Sequence, residues 1–180
     1  MIGVNLDFEV FVLMGMTCDK SVKREALERI GVSWDAAEVT KESIGDLLQV
    51  NSRQFESLVR LLDATSVVAG SDVLSYRPAL WPEFDIAVTA DHGYWDSVRF
   101  VRKSGLQVPK VSKPEELGAW SVTVRELGEM FGPLEDGDHW PPYEEFLFET
   151  MAGERYGAGF SWGLIQDVER LESVQGSAKL

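Results

Sequence analysis

Two acid–imidazole pairs carry side chains that could do chemistry: Asp91–His92 in "ADHGYWD" and Asp138–His139 in "GDHWPPYEEF". Imidazole and carboxylate serve as metal ligands and as general acids or bases, so loops that brought the four together would build a hydrolytic or metal centre. Adjacent residues point to different sides of a chain, however, and no HxxxH or CxxC spacing accompanies them. The expectation is hydrogen-bonded histidines in aromatic loops, with no metal and no cofactor. Cys18 in "MTCDK" is the one cysteine. It excludes an intrachain disulfide, suits a reducing compartment, and reads as an ordinary buried thiol. "GAGFSWG" (157–163) lacks the preceding strand and the Lys-Ser/Thr ending of a phosphate loop, and reads as a turn before a last helix. No catalytic residue is assigned, and a non-enzymatic protein is expected.

Binding chemistry is written more clearly between Ser43 and Leu62, "SIGDLLQVNSRQFESLVRLL". Ile44, Leu47 and Leu48 make one apolar stripe; Phe55, Leu58, Val59 and Leu62 make a second at helical spacing. Asn51 and Ser52 are N-cap candidates for the second helix, and Asn51 with Gln54 has capping-box spacing. Gly45 supplies a small residue for close helix contact, and Val50 a buried aliphatic after the turn. With the apolar stripe inward, Arg53, Ser57 and Arg60 share the solvent face, with Gln54 beside them. Arg and Gln can reach base edges bidentately, while Asn51 and Ser52 at a helix N-terminus can hold phosphate.

The elements that would position these residues follow from periodicity. "VNLDFEVFVLM" alternates as a strand, although its continuous apolar run also suits a buried first helix. "DKSVKREALERIG" predicts a helix closed by Gly31, and "VSWDAAEV" a short helix capped by Ser33. "SVVAGSDVLSYRP" predicts a hairpin turning at Gly70 and Asp72. Residues 20–78 therefore resemble a winged helix-turn-helix domain. That resemblance implies double-stranded DNA as partner, held or read by Asn51, Ser52, Arg53, Gln54, Ser57, Arg60 and Arg77. Gln49 stands at the turn position where this fold commonly has glycine, and residues 20–60 carry seven bases and seven acids, where DNA-binding surfaces are usually basic.

Beyond Pro78 and Pro82, "DIAVTA" predicts a strand and "YWDSVRFVRKSG" a helix or a second strand. "LQVPKVSKPEEL" is a candidate boundary. "TVRELGEMFG", "YEEFLFETMAG" and "WGLIQDVERLESV" all read as helices. The expected class is α+β, with a winged-helix-like lobe over 1–80 and an acidic mixed lobe over 81–180, the two able to pack as a single domain.

Charge divides the chain in the same sense. The 180 residues carry a net charge of −13, with 44% hydrophobic and 11% aromatic residues, as suits a folded domain. Residues 1–114 hold 16 acids and 13 bases, whereas residues 115–172 hold 14 acids and 3 bases. Such a surface repels nucleic acid and attracts basic partners. Glu135, Asp136, Asp138, Trp140, Tyr143, Glu144 and Glu145 combine carboxylates with aromatics, the composition of a protein-binding patch. An acidic inhibitor or immunity-type protein that neutralises a basic protein is the alternative to DNA binding. "MIGVNLDFEVFVLMGM" lacks the basic start of a secretory signal and no apolar run approaches a membrane span, so the expected setting is cytoplasmic, without membrane.

Overall fold

The computed structural model describes residues 4–62 and 72–172 of the chain. Four helices come first: α1 (Val4–Gly15), α2 (Lys20–Arg29), α3 (Trp34–Leu47) and α4 (Gln54–Leu61). A three-stranded antiparallel sheet follows, ordered β1 (Val73–Tyr76), β2 (Phe84–Asp91) and β3 (Tyr94–Arg102). After a 3-10 turn at Pro114–Glu116 and α5 (Val124–Phe131), four strands form an antiparallel meander. These are β4 (Glu135–Trp140), β5 (Tyr143–Glu149), β6 (Arg155–Ser161) and β7 (Leu164–Arg170). The class is α+β.

Local signals explain the helices that form where the sequence predicts them. Ser33 Oγ accepts from the Ala36 amide at 3.2 Å to start α3. Thr123 and Glu126 build a capping box at α5. The α2 terminus is a Schellman motif: Gly31 N–H donates to Glu28 O and Val32 N–H to Leu27 O, with Gly31 at φ 69°.

Several expectations are corrected. Of the two readings left open for the first segment, the buried helix is the one observed, α1. It is buried on most of its circumference, from Phe8 through Met14, so the 3.6-residue period that marks a half-exposed helix is missing. The predicted pieces at Ser33 and Ser43 are one helix, α3. "YEEFLFETMAG" and "WGLIQDVERLESV" contribute strands β5 and β7, and "GAGFSWG" lies in β6 and the β6–β7 turn. In β5 the inward side chains are Phe146 and Phe148, two residues apart, packed in the core with Phe160 and Tyr156. The apolar spacing in β5 was a strand period, read as a helical one. Residues 66–71 of the hairpin predicted over 66–78, with its turn residue Gly70, lie outside the described residues; Val73–Tyr76 pairs with β2. The observed hairpin is β2–β3, turning at His92 (φ 50°) and Gly93 (φ 85°), a type I′ pattern.

The expected boundary at residue 80 runs through the three-stranded sheet, whose β1 and β2 lie on either side of it. Buried Glu9 of α1 fastens this crossing: its carboxylate accepts from the Tyr76 hydroxyl (2.5 Å) and from the Ala79 and Leu80 amides (2.9 and 2.7 Å). One apolar cluster unites α1–α4 with β1–β3 and a second unites α5 with β5–β7. The two halves join where Phe100 N–H of β3 donates to Trp162 O in the β6–β7 turn. Arg102, with 6% of its side chain exposed, reinforces the joint by binding Glu126, Glu83 and Ser121 O.

Candidate functional site

The α3–α4 turn is the first candidate, and its geometry differs from the expected one. Helix α4 starts after Arg53, which makes no side-chain cap; Asn51 Oδ1 instead accepts from the Arg53 amide at 2.8 Å. Gln54 is buried, not solvent-facing. Its Nε2 donates to Leu48 O and its Oε1 accepts from the Trp95 amide, so both ends of the amide are engaged inside the protein. Val50, expected inside, is 81% exposed. Gly45 packs toward Phe11 of α1. The tip of the β2–β3 hairpin closes the start of α4: Phe55 N–H donates to Gly93 O at 3.0 Å. Since Arg53 N–H and Gln54 N–H are also taken, by Asn51, the early amides expected to hold phosphate are already bonded. Arg53 and Arg60 are exposed and Ser57 half-buried. Arg60 is held by Glu56 at 2.5 Å, and Arg77 stands 3.9 Å from Asp85.

The second candidate is the outer face of the β4–β7 sheet. Strand register sets two rows across it, Glu145–Gly159–Asp167 and Leu147–Gly157–Glu169. Residues opposite each other in paired strands share a face, so the two glycines of β6 form a floor, Gly159 between Glu145 and Asp167 and Gly157 between Leu147 and Glu169. Asp167 folds across that floor; a Cβ on Gly159 would sit 2.9 Å from its Oδ1. Burial first, then Glu169, Asp19 and Glu145, raise the Asp167 carboxyl above its usual range, against a lowering bond from the Gly159 backbone. Tyr143 at the end of the trough is likewise raised, by burial and then by Glu145, Asp167, Asp138 and Glu169. Among the described residues, Asp138, Glu145, Asp167 and Glu169 have no ion-pair partner, whereas Glu135 and Glu154 are met by Arg155 and Arg170. Across residues 135–170 there are nine acids and two arginines.

Of the residues expected to bind protein, Asp138, Tyr143 and Glu145 belong to this trough. Trp140 stacks on Tyr143 with centroids 4.4 Å apart and is 57% exposed at the rim. Glu135 and Asp136 are exposed on β4. Glu144 is different: it points inward, 7% exposed, and pairs with Arg99 at 2.7 Å. The trough residues Asp167 and Glu169 went unnoticed in the sequence, because a helical reading of β7 separates them from Glu145.

The third feature is a cleft of about 500 Å³ where the α3–α4 turn, the start of β3 and the β4–β5 turn meet. Val50, Tyr94 and Pro141 stand among its lining residues, with Trp95, Trp162 and Glu144. His139 also lines it, 3.8 Å from Glu144. His92 lies on the hairpin tip, 89% exposed and 3.6 Å from Asp91. The two Asp-His pairs thus belong to separate settings, and among the described residues no group of three or more His, Cys, Asp or Glu is placed to hold a metal ion. Cys18 is buried, and burial pushes its thiol up. Among the described residues no helix is long and apolar enough to cross a membrane. No family model, curated protein or solved structure matches the chain.

Proposed function

We propose that this protein is a non-enzymatic binding protein that captures a basic protein through the outer face of its β4–β7 sheet, in the cytoplasm. The observation that carries the reading is that, among the described residues, Asp138, Glu145, Asp167 and Glu169 have no ion-pair partner around the Gly157–Gly159 floor. Carboxylates held together without cations repel one another, and a partner's Lys and Arg side chains relieve that repulsion on binding. Steering by the same field speeds encounter with a basic surface and disfavours nucleic acid. Trp140 and Tyr143 at the rim supply the aromatic area that interfaces favour.

The test uses a deca-lysine peptide as a basic probe in titration calorimetry. Binding that weakens steeply with salt, and that is lost in Asp167→Lys with Glu169→Lys but kept in Glu56→Lys, supports the reading. Equal binding by all three chains rejects it. DNA binding through Arg53, just before α4, and Arg60 on it, both exposed, is the second reading; a duplex shift at low salt that vanishes in Arg53→Glu with Arg60→Glu would establish it instead.

A further inference from the structure

Glu144 is a carboxylate with half its bonding capacity in use. Its Oε1 accepts from Arg99 Nη2 at 2.7 Å and lies 3.8 Å from His139 Nδ1. Its Oε2 is shielded from solvent and has no hydrogen-bond partner among the described residues. Buried polar atoms are ordinarily paired, because an unpaired one forfeits hydration without return. The side chain lies between a cavity against β3 and α5 and the 500 Å³ cleft, and lines both; the cleft has a size typical of small-ligand sites.

The other lining groups restrict what could satisfy it: Trp95 and Trp162 also bring buried indole N–H groups with no partner among the described residues, so an occupant must accept hydrogen bonds as well as donate them. Gln54 has both amide ends spent on Leu48 and Trp95. The charged lining side chains are Glu144 and Asp96 against Arg99, an excess of one carboxylate. The walls are aromatic and apolar, with Tyr94, Trp95 and Trp162 beside Val50 and Pro141. A cation with a flat face fits that combination, since it can stack on rings while donating to a carboxylate.

We infer that the cleft receives the guanidinium of an arginine presented by the basic partner. This rests on the reading above, because the β4–β5 turn separates the cleft from the acidic trough: Tyr143 faces the trough, while His139 and Pro141 line the cleft. The incoming guanidinium donates to Glu144 Oε2 and leaves Oε1 to Arg99, so each oxygen of one carboxylate holds one guanidinium. Entry requires the Arg99 stem, 45% exposed, to move aside while its guanidinium keeps Oε1. A lysine ammonium has the charge but neither the planar fork nor the stacking face, so arginine is preferred.

Two titrations of the full chain test this. In the first, L-arginine methyl ester and L-lysine methyl ester are followed by the indole N–H signals of Trp95 and Trp162. Saturable shifts are expected with the arginine ester in roughly the millimolar range, at least about threefold weaker with the lysine ester. Glu144→Gln is expected to weaken the arginine ester about tenfold. Val50→Arg changes a surface residue and places a fixed cation at the cleft mouth, so it should abolish binding without disturbing the fold. No saturable shift, equal binding of the two esters, or an unaffected Val50→Arg chain each overturns the inference.

In the second titration, deca-arginine and deca-lysine are compared. A preference for deca-arginine that Val50→Arg removes is the expected result. If both decapeptides bind equally and Val50→Arg changes neither, the cleft inference is lost while the acidic-face reading stands. If neither binds although the arginine ester does, the partner is overturned as the source of the guanidinium.

Discussion

Gly93 and Ser52 meet backbone to backbone: a Cβ added to Gly93 would overlap the Ser52 carbonyl oxygen and stand 3.0 Å from its carbon. This contact seats the β2–β3 hairpin on the α3–α4 turn and accompanies the Phe55 N–H to Gly93 O bond. It makes the hairpin tip and the start of α4 one rigid unit. Winged-helix DNA readers leave the start of the second helix open to a groove; here that end faces its own hairpin.

Gly93→Ala is expected to cost about 2–4 kcal/mol, combining a left-handed backbone with a clash against main chain that cannot rotate away. Gly31→Ala is the control. Gly31 also has positive φ, but nothing lies within 4 Å of its would-be Cβ, so only the conformational cost of about 1 kcal/mol applies. Urea unfolding of both chains measures the difference. Equal losses would mean that the Ser52 contact is absent.

Arg102 gives a second expectation. Its guanidinium stacks 4.6 Å from the Phe84 ring and holds Glu126, itself only 10% exposed, at 2.6 Å. Burial pulls its proton affinity down, and the bonds to Glu126 and Glu83 more than reverse that. Arg102→Ala leaves Glu126 buried without its cation and should cost about 3–5 kcal/mol. Arg125→Ala removes the solvent-facing i,i+4 pair with Glu129 and should leave the unfolding midpoint unchanged. Comparable losses in the two variants would remove Arg102 from the joint between the halves.

How much was legible follows from where the signals sit. Ser33, Gly31 and the Thr123–Glu126 box are local, and α2, the start of α3 and α5 follow from them. Strands β5 and β7 are not legible locally because "YEEFLFE" and "LIQDVER" mix helix formers (Glu, Leu, Gln, Arg) with strand formers (Tyr, Phe, Ile, Val), and only pairing with glycine-bearing β6 fixes them as strands. The site was divided in the same way. The acid excess of the second half and the Trp140–Tyr143 patch are compositional and visible. Gln54 with Trp95, 41 residues apart, and Arg99 with Glu144, 45 apart, meet only through tertiary packing, so local sequence places Gln54 on the surface and does not single out Arg99.

Tyr76 sets a limit at alkaline pH. Burial first, and then its bond to Glu9, raises the phenol well above its usual range. A raised folded pKa means stability that is complete below the unfolded value, about 10, and lost as pH rises past it. Unfolding free energy should therefore fall as pH rises above about 10. Tyr76→Phe should be less stable at pH 8, having lost the hydroxyl bond to Glu9, and its decline above pH 10 should be shallower. Parallel curves for the two chains would show that Tyr76 does not carry the alkaline loss.

Asp167 carries the opposite consequence at neutral pH. Its folded pKa is raised, so the stability attached to its protonated form is fully present below the unfolded value, about 4, and disappears as pH rises through the folded one. At pH 7 the ionised carboxylate therefore opposes folding. Asp167→Asn keeps an oxygen that can still accept from Gly159 and removes the charge. The variant should unfold at higher urea than the parent at pH 7, with the gain shrinking toward pH 3. The same substitution relieves Tyr143, whose phenol is raised in part by Asp167, and should bring its ultraviolet titration closer to that of a free tyrosine. High salt should screen the carboxylates and reduce both effects. A variant that is less stable at pH 7, with Tyr143 unmoved, would show that the trough holds no excess negative field, and the case for a cationic partner there would go with it.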